Sequence, residues 1–344
     1  MNRYYLNIFL MIVLSFLISA ILMPLMIKLA KHIGAMDIPR DDRRAHNKPM
    51  PKIGGLGIFL AFLISYMLFG NNSVRFNSIL IGAFFIILTG LIDDINSIKS
   101  YQKFIGQVAA ALTVILYGNI LLEYISVFGY TLHFGLWAYP ITLIFILACI
   151  NIINLIDGLD GLSSGISSIF FLTITIISII QNRFGTLEIT LSILMLGSCL
   201  GFLKYNFYPA KIFAGDAGAM FMGYMIAVIS LLGFKGALLT SLAVPLLVLA
   251  VPILDTAFAI IRRIIRRQAI YEADKDHFHH QFLKMNFSHR NTVLIIYLIN
   301  IFFSLVSILM LVRHRELGLI MYAIVFIALI WFVRHTSIIK RREK

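Results

Sequence analysis

Long apolar runs, separated by short polar clusters, recur from Tyr4 to Val333 and restrict this chain more than any other feature. A run of about 20 apolar residues matches the hydrocarbon thickness of a bilayer. A larger buried core does not explain them: 60% of the 344 residues are hydrophobic and 13% charged, against roughly half and a quarter in a soluble domain. The sequence reads as an all-α polytopic integral membrane protein, a single membrane-embedded domain over 1–344.

Eleven helices are expected, at 5–29, 56–70, 77–92, 104–120, 136–153, 163–180, 187–203, 217–232, 237–262, 292–312 and 317–333. The second and third are short for spans, so tilt or extension into their flanks is expected. Glu123–Phe134 alternates in polarity and carries Gly129-Tyr130, which predicts a small hairpin outside the bilayer. The first block is long enough to span, so no cleavable signal peptide is expected. Cys149 and Cys199 fall inside apolar blocks and read as packing residues, not as a disulfide or thiolate metal site.

Eleven spans put the termini on opposite sides, and the positive-inside rule sets the orientation. With the loop after the first span inside, 23 of the 29 Lys and Arg residues fall on the inner side. The N-terminus is then outside and the C-terminus cytoplasmic. The net charge of +13 reads as topology and lipid contact, with no nucleic-acid partner. All eleven aspartates also fall on the inner side, which that rule does not require. Carboxylates gathered with bases on one face suggest a site there, built from loops 31–55, 93–103, 154–163, 204–217 and 263–291.

Five clusters make up that face. Asp37–Gly57 is basic, proline-punctuated and glycine-ended, and suits anion capture as well as a plain solvated loop. Asp93 and Asp94 are adjacent at the end of a span, where carboxylates are costly. They form either a structural pair with Lys99 or Lys103, or a base or metal site. Asn154, Asp157 and Asp160 follow at i, i+3, i+6, a spacing that lines one helix face and offers the oxygens Mg²⁺ prefers. Asp216 stands between Gly215 and Gly218 at the start of a span, as a cap or a ligand; Phe213 and Asn206 ahead of it could stack and hydrogen-bond a flat base. His277, His279 and His280 crowd together after a basic run, and without a nearby cysteine they fit phosphate contact or acid–base work better than a metal. Asp255 lies on the preceding span, with Arg262 or Arg263 as its expected partner. No P-loop and no nucleophile elbow occur. Charged residues are scarce in mid-span, which argues against a coupled transporter.

Taken in order, "HNKPMPKIGG", "LIDD", "NLIDGLDGLSSG", "KYNFYPAKIFAGDAG" and "DKDHFHH" resemble the polyprenyl-phosphate N-acetylhexosamine-1-phosphate transferases over roughly residues 5 to 333. These are membrane enzymes that include the initiators of teichoic-acid and O-antigen (lipopolysaccharide) synthesis. The resemblance implies transfer of a sugar 1-phosphate from a UDP-sugar to undecaprenyl phosphate at the cytoplasmic face of the cell membrane, with release of UMP. It implies Mg²⁺ dependence, with Mn²⁺ as a substitute, and a homodimer as the family's assembly. By the same resemblance Asp216 is the principal metal ligand, joined by Asn154. Asp93 is the general base, or the nucleophile of a two-step scheme, and Asp94 is its partner. Asp157 and Asp160 complete the catalytic set with His279 and His280. Asn206, Phe213, His277 and Lys48 contact the nucleotide-sugar. The His-Phe-His-His run and the departure from a T-P-T-M-G-G loop favour UDP-N-acetylglucosamine over the muramoyl-pentapeptide donor of the peptidoglycan enzyme. A lipid or nucleotide-sugar transporter is the remoter alternative.

Overall fold

The computed structural model describes residues 2–38, 49–127, 130–234, 249–265, 282 and 285–312. The chain divides into two compact units, Met1–Leu242 and Ala243–Lys344. The first holds α1 (Asn2–Ile33), β1 (Met36–Asp37), β2 (Met50–Pro51), α2 (Gly54–Phe69), α3 (Val74–Ile95) and α4 (Ser100–Leu112), which runs into a π-turn at Thr113–Tyr117. There follow β3 (Tyr124–Val127), β4 (Tyr130–His133), α5 (Ala138–Ile156), α6 (Leu162–Ile180), α7 (Leu187–Asn206) and α8 (Gly215–Phe234). In the second unit α9 (Ala250–Ile265) packs on α10 (His289–Val312).

Among the described residues, seven helices are long and apolar enough to cross a membrane: α1, α3, α5, α6, α7, α8 and α10. The protein is thus mostly helical and multi-pass. α2 is apolar but shorter, at 16 residues. The segment expected at 317–333, and the part of 237–262 before residue 249, lie outside the described residues. The expected hairpin is present, with Tyr124 opposite His133 and Val127 opposite Tyr130 in antiparallel register.

α8 is the core of the first unit. Its residues from Ala217 to Leu232 are buried on every side, as a helix that is apolar all round must be. α2, α3, α5, α6 and α7 surround it, α1 lies along α7 and α2, and α4 lies along α3 and α5. The outward surface is equally apolar: α1 alone exposes Leu6, Phe9, Leu17, Ile21 and Leu25. A continuous face of that kind fits lipid, not water.

α3 reaches three residues past its expected end at 92. Its start is fixed by Ser73, whose hydroxyl accepts from the Phe76 N–H at 3.1 Å. Its last turn carries Asp93 and Asp94, both buried. A helix tolerates two carboxylates there because each finds donors across the loop, as follows.

Candidate active site

Three helix ends and two loops meet where α8 begins. The first N–H groups of any helix lack intrahelical acceptors and carry the positive end of its dipole. Asp94, from α3, supplies the acceptors: its Oδ1 takes the Asp216 N–H at 3.0 Å and its Oδ2 the Ala217 N–H at 3.1 Å. The acid that caps α8 is therefore Asp94, not Asp216, and Asp216 is left for other work in the first turn. The turn before it needs Gly215, at φ +70°, where a Cβ would lie 2.0 Å from the Lys52 carbonyl oxygen and 2.5 Å from Asp94 Oδ2.

Main-chain pairing seats the glycine-rich end of the first loop on this turn. Phe213 N–H donates to the Pro51 carbonyl at 2.8 Å, Gly54 N–H to Phe213 at 3.0 Å and Gly55 N–H to Ala214 at 2.8 Å. The backbones then close in: a Cβ on Gly55 would meet Gly218 N at 2.1 Å, and one on Gly90 would meet Ala217 Cα at 2.2 Å. The two glycines let α2 and α3 hold the first turn of α8 between them.

Asp93, next to Asp94 in sequence, serves differently. Its Oδ1 accepts the Ile98 N–H at 2.8 Å, and its Oδ2 meets Lys103 Nζ at 2.6 Å. The same ammonium reaches Asp216 Oδ2 at 3.2 Å. Lys103 thus bridges two carboxylates that would otherwise repel. Burial works against the charged ammonium, but Asp216 and Asp93 outweigh it and raise its pKa. Lys103 appears in the sequence only as an ordinary partner for Asp93. Its place in the site was legible only from the helix break at 96–99, which turns α4 back along α3.

A second group forms where α5 gives way to α6. Asp157, just beyond α5, accepts a short hydrogen bond from the Ser163 hydroxyl. Burial pushes the Asp157 carboxyl up to about 7; the charges of Asp216 and Asp160 add to the shift and Ser163 opposes it. Asp160 Oδ2 accepts the Ala210 N–H at 2.9 Å. Asn206 is buried, with its Oδ1 accepting from Gly161 N–H and the Ser164 hydroxyl, and its Nδ2 donating to the Ile212 carbonyl. Asp160 and Asn206 therefore stitch the α5–α6 loop to the α7–α8 loop. Asn154 is half-buried in the last turn of α5. Phe213 is also half-buried, on the strand-like segment facing Gly54. Lys48, His277, His279 and His280 lie outside the described residues.

Among the described residues, carboxylates outnumber the cations at this end. Asp93 and Asp216 meet Lys103, the charges of Asp216 and Lys52 bear on Asp94, and those of Asp216 and Asp160 bear on Asp157. Among the described residues no three His, Cys, Asp or Glu side chains close into a metal cage. A divalent ion of the Mg²⁺ type nonetheless fits, because it takes one or two carboxylates and completes its shell with water and phosphate oxygens. Lys103 already marks a cation position between Asp93 and Asp216.

Residues 76–234, which include Asp93, Asp94, Asp157, Asp160, Asn206 and Asp216, match glycosyl transferase family 4. The chain is 38% identical over 307 residues to a probable undecaprenyl-phosphate N-acetylglucosaminyl 1-phosphate transferase of Bacillus subtilis, covering 87% of this chain and 85% of that one. The chain belongs to this family of polyprenyl-phosphate sugar-phosphate transferases. A decaprenyl-phosphate N-acetylglucosaminephosphotransferase of Mycobacterium tuberculosis is 31% identical over 300 residues, 78% of this chain and 74% of its own. A phospho-N-acetylmuramoyl-pentapeptide-transferase of Caldicellulosiruptor bescii is 28% identical over 323 residues, 87% of this chain and 96% of its own.

Proposed function

We propose that this protein transfers N-acetylglucosamine 1-phosphate from UDP-N-acetylglucosamine to undecaprenyl phosphate, releasing UMP and initiating a cell-envelope polymer. The observation that carries the reading is the convergence of Asp93, Lys103 and Asp216 on an α8 N-terminus already capped by Asp94. Likeness to the Bacillus subtilis relative favours this donor over UDP-muramoyl-pentapeptide.

In the reaction an oxygen of the acceptor phosphate bonds the β-phosphorus of the donor, while the bond from that phosphorus to the UMP oxygen breaks. Three phosphates must approach one another, so cationic charge is needed where they meet. Bound Mg²⁺, held by Asp216 with Asn154 nearby, would supply that charge and polarise the phosphoryl oxygens. Lys103 adds a fixed ammonium at the same place. Asp93 either takes the proton of the acceptor phosphate or attacks the phosphorus itself. Asp94 keeps α8 in place under the phosphates, and Asp157 and Asp160 keep the adjoining loops. Phe213 offers a ring for the uracil; by the family resemblance Lys48 and His277 contact the nucleotide-sugar, and His279 and His280 belong to the catalytic set.

The same reading carries the finer topology: eleven spans, the N-terminus outside, the site on the cytoplasmic face of the cell membrane, both units acting as one transferase, and a homodimer as assembly. The test is UMP release by the purified full chain in lipid nanodiscs with undecaprenyl phosphate, Mg²⁺ and UDP-N-acetylglucosamine. Release that needs all three, and is lost in Asp216→Asn, is the expected result. Release only with UDP-muramoyl-pentapeptide would move the protein to the peptidoglycan branch. Release with neither donor would overturn the reading.

A further inference from the structure

One helical turn deeper than Lys103, Asp216 and Asn154 lies a second polar layer. Residues three or four apart share a face of an α-helix, one turn from each other. On α4, Gln107 follows Lys103 by four. On α8, Met220 follows Asp216 by four. On α5, which runs the other way, Asn151 precedes Asn154 by three. These three deeper residues touch. Asn151 Nδ2 donates to Gln107 Oε1 at 2.8 Å, and Gln107 Nε2 returns a longer bond to Asn151 Oδ1 at 3.4 Å. Gln107 Nε2 also meets Met220 Sδ at 3.3 Å.

The chemistry of the pair is unusual for its surroundings. Gln107 is 3% exposed, on a helix otherwise built from small and apolar residues at this level. Asn151 sits on an exposed position of α5, yet its amide turns to Gln107 and to the Leu147 carbonyl at 2.8 Å. In an apolar medium an amide without a partner is costly, so two reciprocal amides lock the rotation of their helices against each other. α4 needs such a lock, because its first turn carries the Lys103 ammonium, which bridges Asp93 and Asp216.

We propose that Gln107 and Asn151 are positioning residues of the transferase: their amide pair, resting on Met220, forms the floor of the site and sets Lys103 in register with Asp216. This rests on the transferase reading above. Plain helix glue would alter folding alone. A positioning role alters turnover in protein that is folded and still binds its donor.

The experiment compares the full chain with Gln107→Leu, Gln107→Met and the exchange variant Gln107→Asn/Asn151→Gln, in nanodiscs with UDP-N-acetylglucosamine, undecaprenyl phosphate and Mg²⁺. kcat, KM for the donor and the melting midpoint are read for each. Activity in the parent chain is required first, and its absence would fail the transferase reading, not this one. With an active parent, Gln107→Leu is expected to lose about tenfold or more in kcat while KM stays within about threefold and the midpoint holds. The exchange variant should recover most of that loss. Gln107→Met keeps the length and the contact with Met220 without the amide, and decides the matter if the leucine variant does not fold. Near-parental kcat in the folded amide-free variant would overturn the proposal. So would a loss of kcat that only tracks the melting midpoint, or an exchange variant no better than Gln107→Leu.

Discussion

Buried carboxylates stand at both ends of the first unit, and they are managed in opposite ways. At the end away from the site, Glu188 in the first turn of α7 pairs with Arg183 at 2.5 Å, and Arg183 also donates to the Gly233 carbonyl near the end of α8 at 3.3 Å. One anion meets one cation, and each is also placed at the helix terminus whose dipole favours it. At the site end, Asp93 and Asp216 share Lys103, while Asp94 lies in the field of Asp216 and Lys52, and Asp157 in that of Asp216 and Asp160. The first arrangement is closed and joins three helices. In the second, among the described residues, two carboxylates divide one ammonium. A buried charge by itself does not mark a site; a local imbalance such as this, held in place by other groups, points to one.

The sharpest way to break this contrast is to neutralise each end in turn. Asp216→Asn and Asp93→Asn should each lower UMP release by roughly 10³-fold or more, since the proposed reaction uses each at the phosphates. The double variant Arg183→Met/Glu188→Leu, per folded molecule, should stay within about threefold of the parent. Equal losses at both ends would dissolve the distinction.

Lys103→Met should come next, with a loss of about 10²-fold in kcat as one fixed positive charge leaves the site. It also tests the imbalance directly. Without the ammonium, Asp93 and Asp216 face each other unopposed, so the Mg²⁺ concentration that half-protects the protein against heat should fall. A higher or unchanged requirement would mean that Lys103 does not stand at the cation position.

This contrast shows where the sequence was readable and where it was not. Apolar block length is a local property, so seven of the eleven expected spans and the hairpin at 124–133 could be read directly; the helix expected at 104–120 is instead α4 with its π-turn, too short to be counted as a span. The aspartates could be picked out because carboxylates are rare beside such blocks. What each one does depends on partners distant in the chain. Asp93 and Asp94 are adjacent and identical, yet one faces Lys103 and the other caps a helix more than a hundred residues away. Nothing within LIDD separates them. Asn206 reads from sequence as a base-binding amide, and only the structure shows it stitching two loops together. Gly55 reads from sequence as part of an anion-capturing loop, whereas in the structure Gly55 and Gly90 admit the backbone of α8, which lies 2.1–2.2 Å from where their Cβ atoms would be.

A smaller effect is expected at the far end alone. Glu188→Gln removes the charge but keeps an acceptor, leaving Arg183 with the Gly233 carbonyl. About a quarter of the Arg183 side chain is exposed, so water offsets part of the loss. The cost should be about 1–2 kcal/mol, read as a melting midpoint lower by a few degrees with kcat unchanged. A drop in kcat at constant stability would show that this end communicates with the site.

The least of these effects is a pH dependence specific to Asp157. Its folded pKa is pushed up to about 7, above the value near 4 of a carboxyl in an unfolded chain. Between those two values this carboxyl holds more of its proton in the folded protein than in the unfolded one, so its contribution to metal-free stability should fall as pH rises from about 4 to about 7. Ser163→Ala removes the hydrogen bond that favours the carboxylate, which should extend that fall to higher pH. Asp157→Asn should make the slope shallower by this one group's share. Glu188 offers the control: a variant at the far end should shift the whole stability curve without changing this slope. If the slope survives Asp157→Asn, another carboxyl of the crowded end carries the proton. Adding Mg²⁺ should also reduce the slope in the parent chain, because a bound cation and a proton relieve the same excess of negative charge.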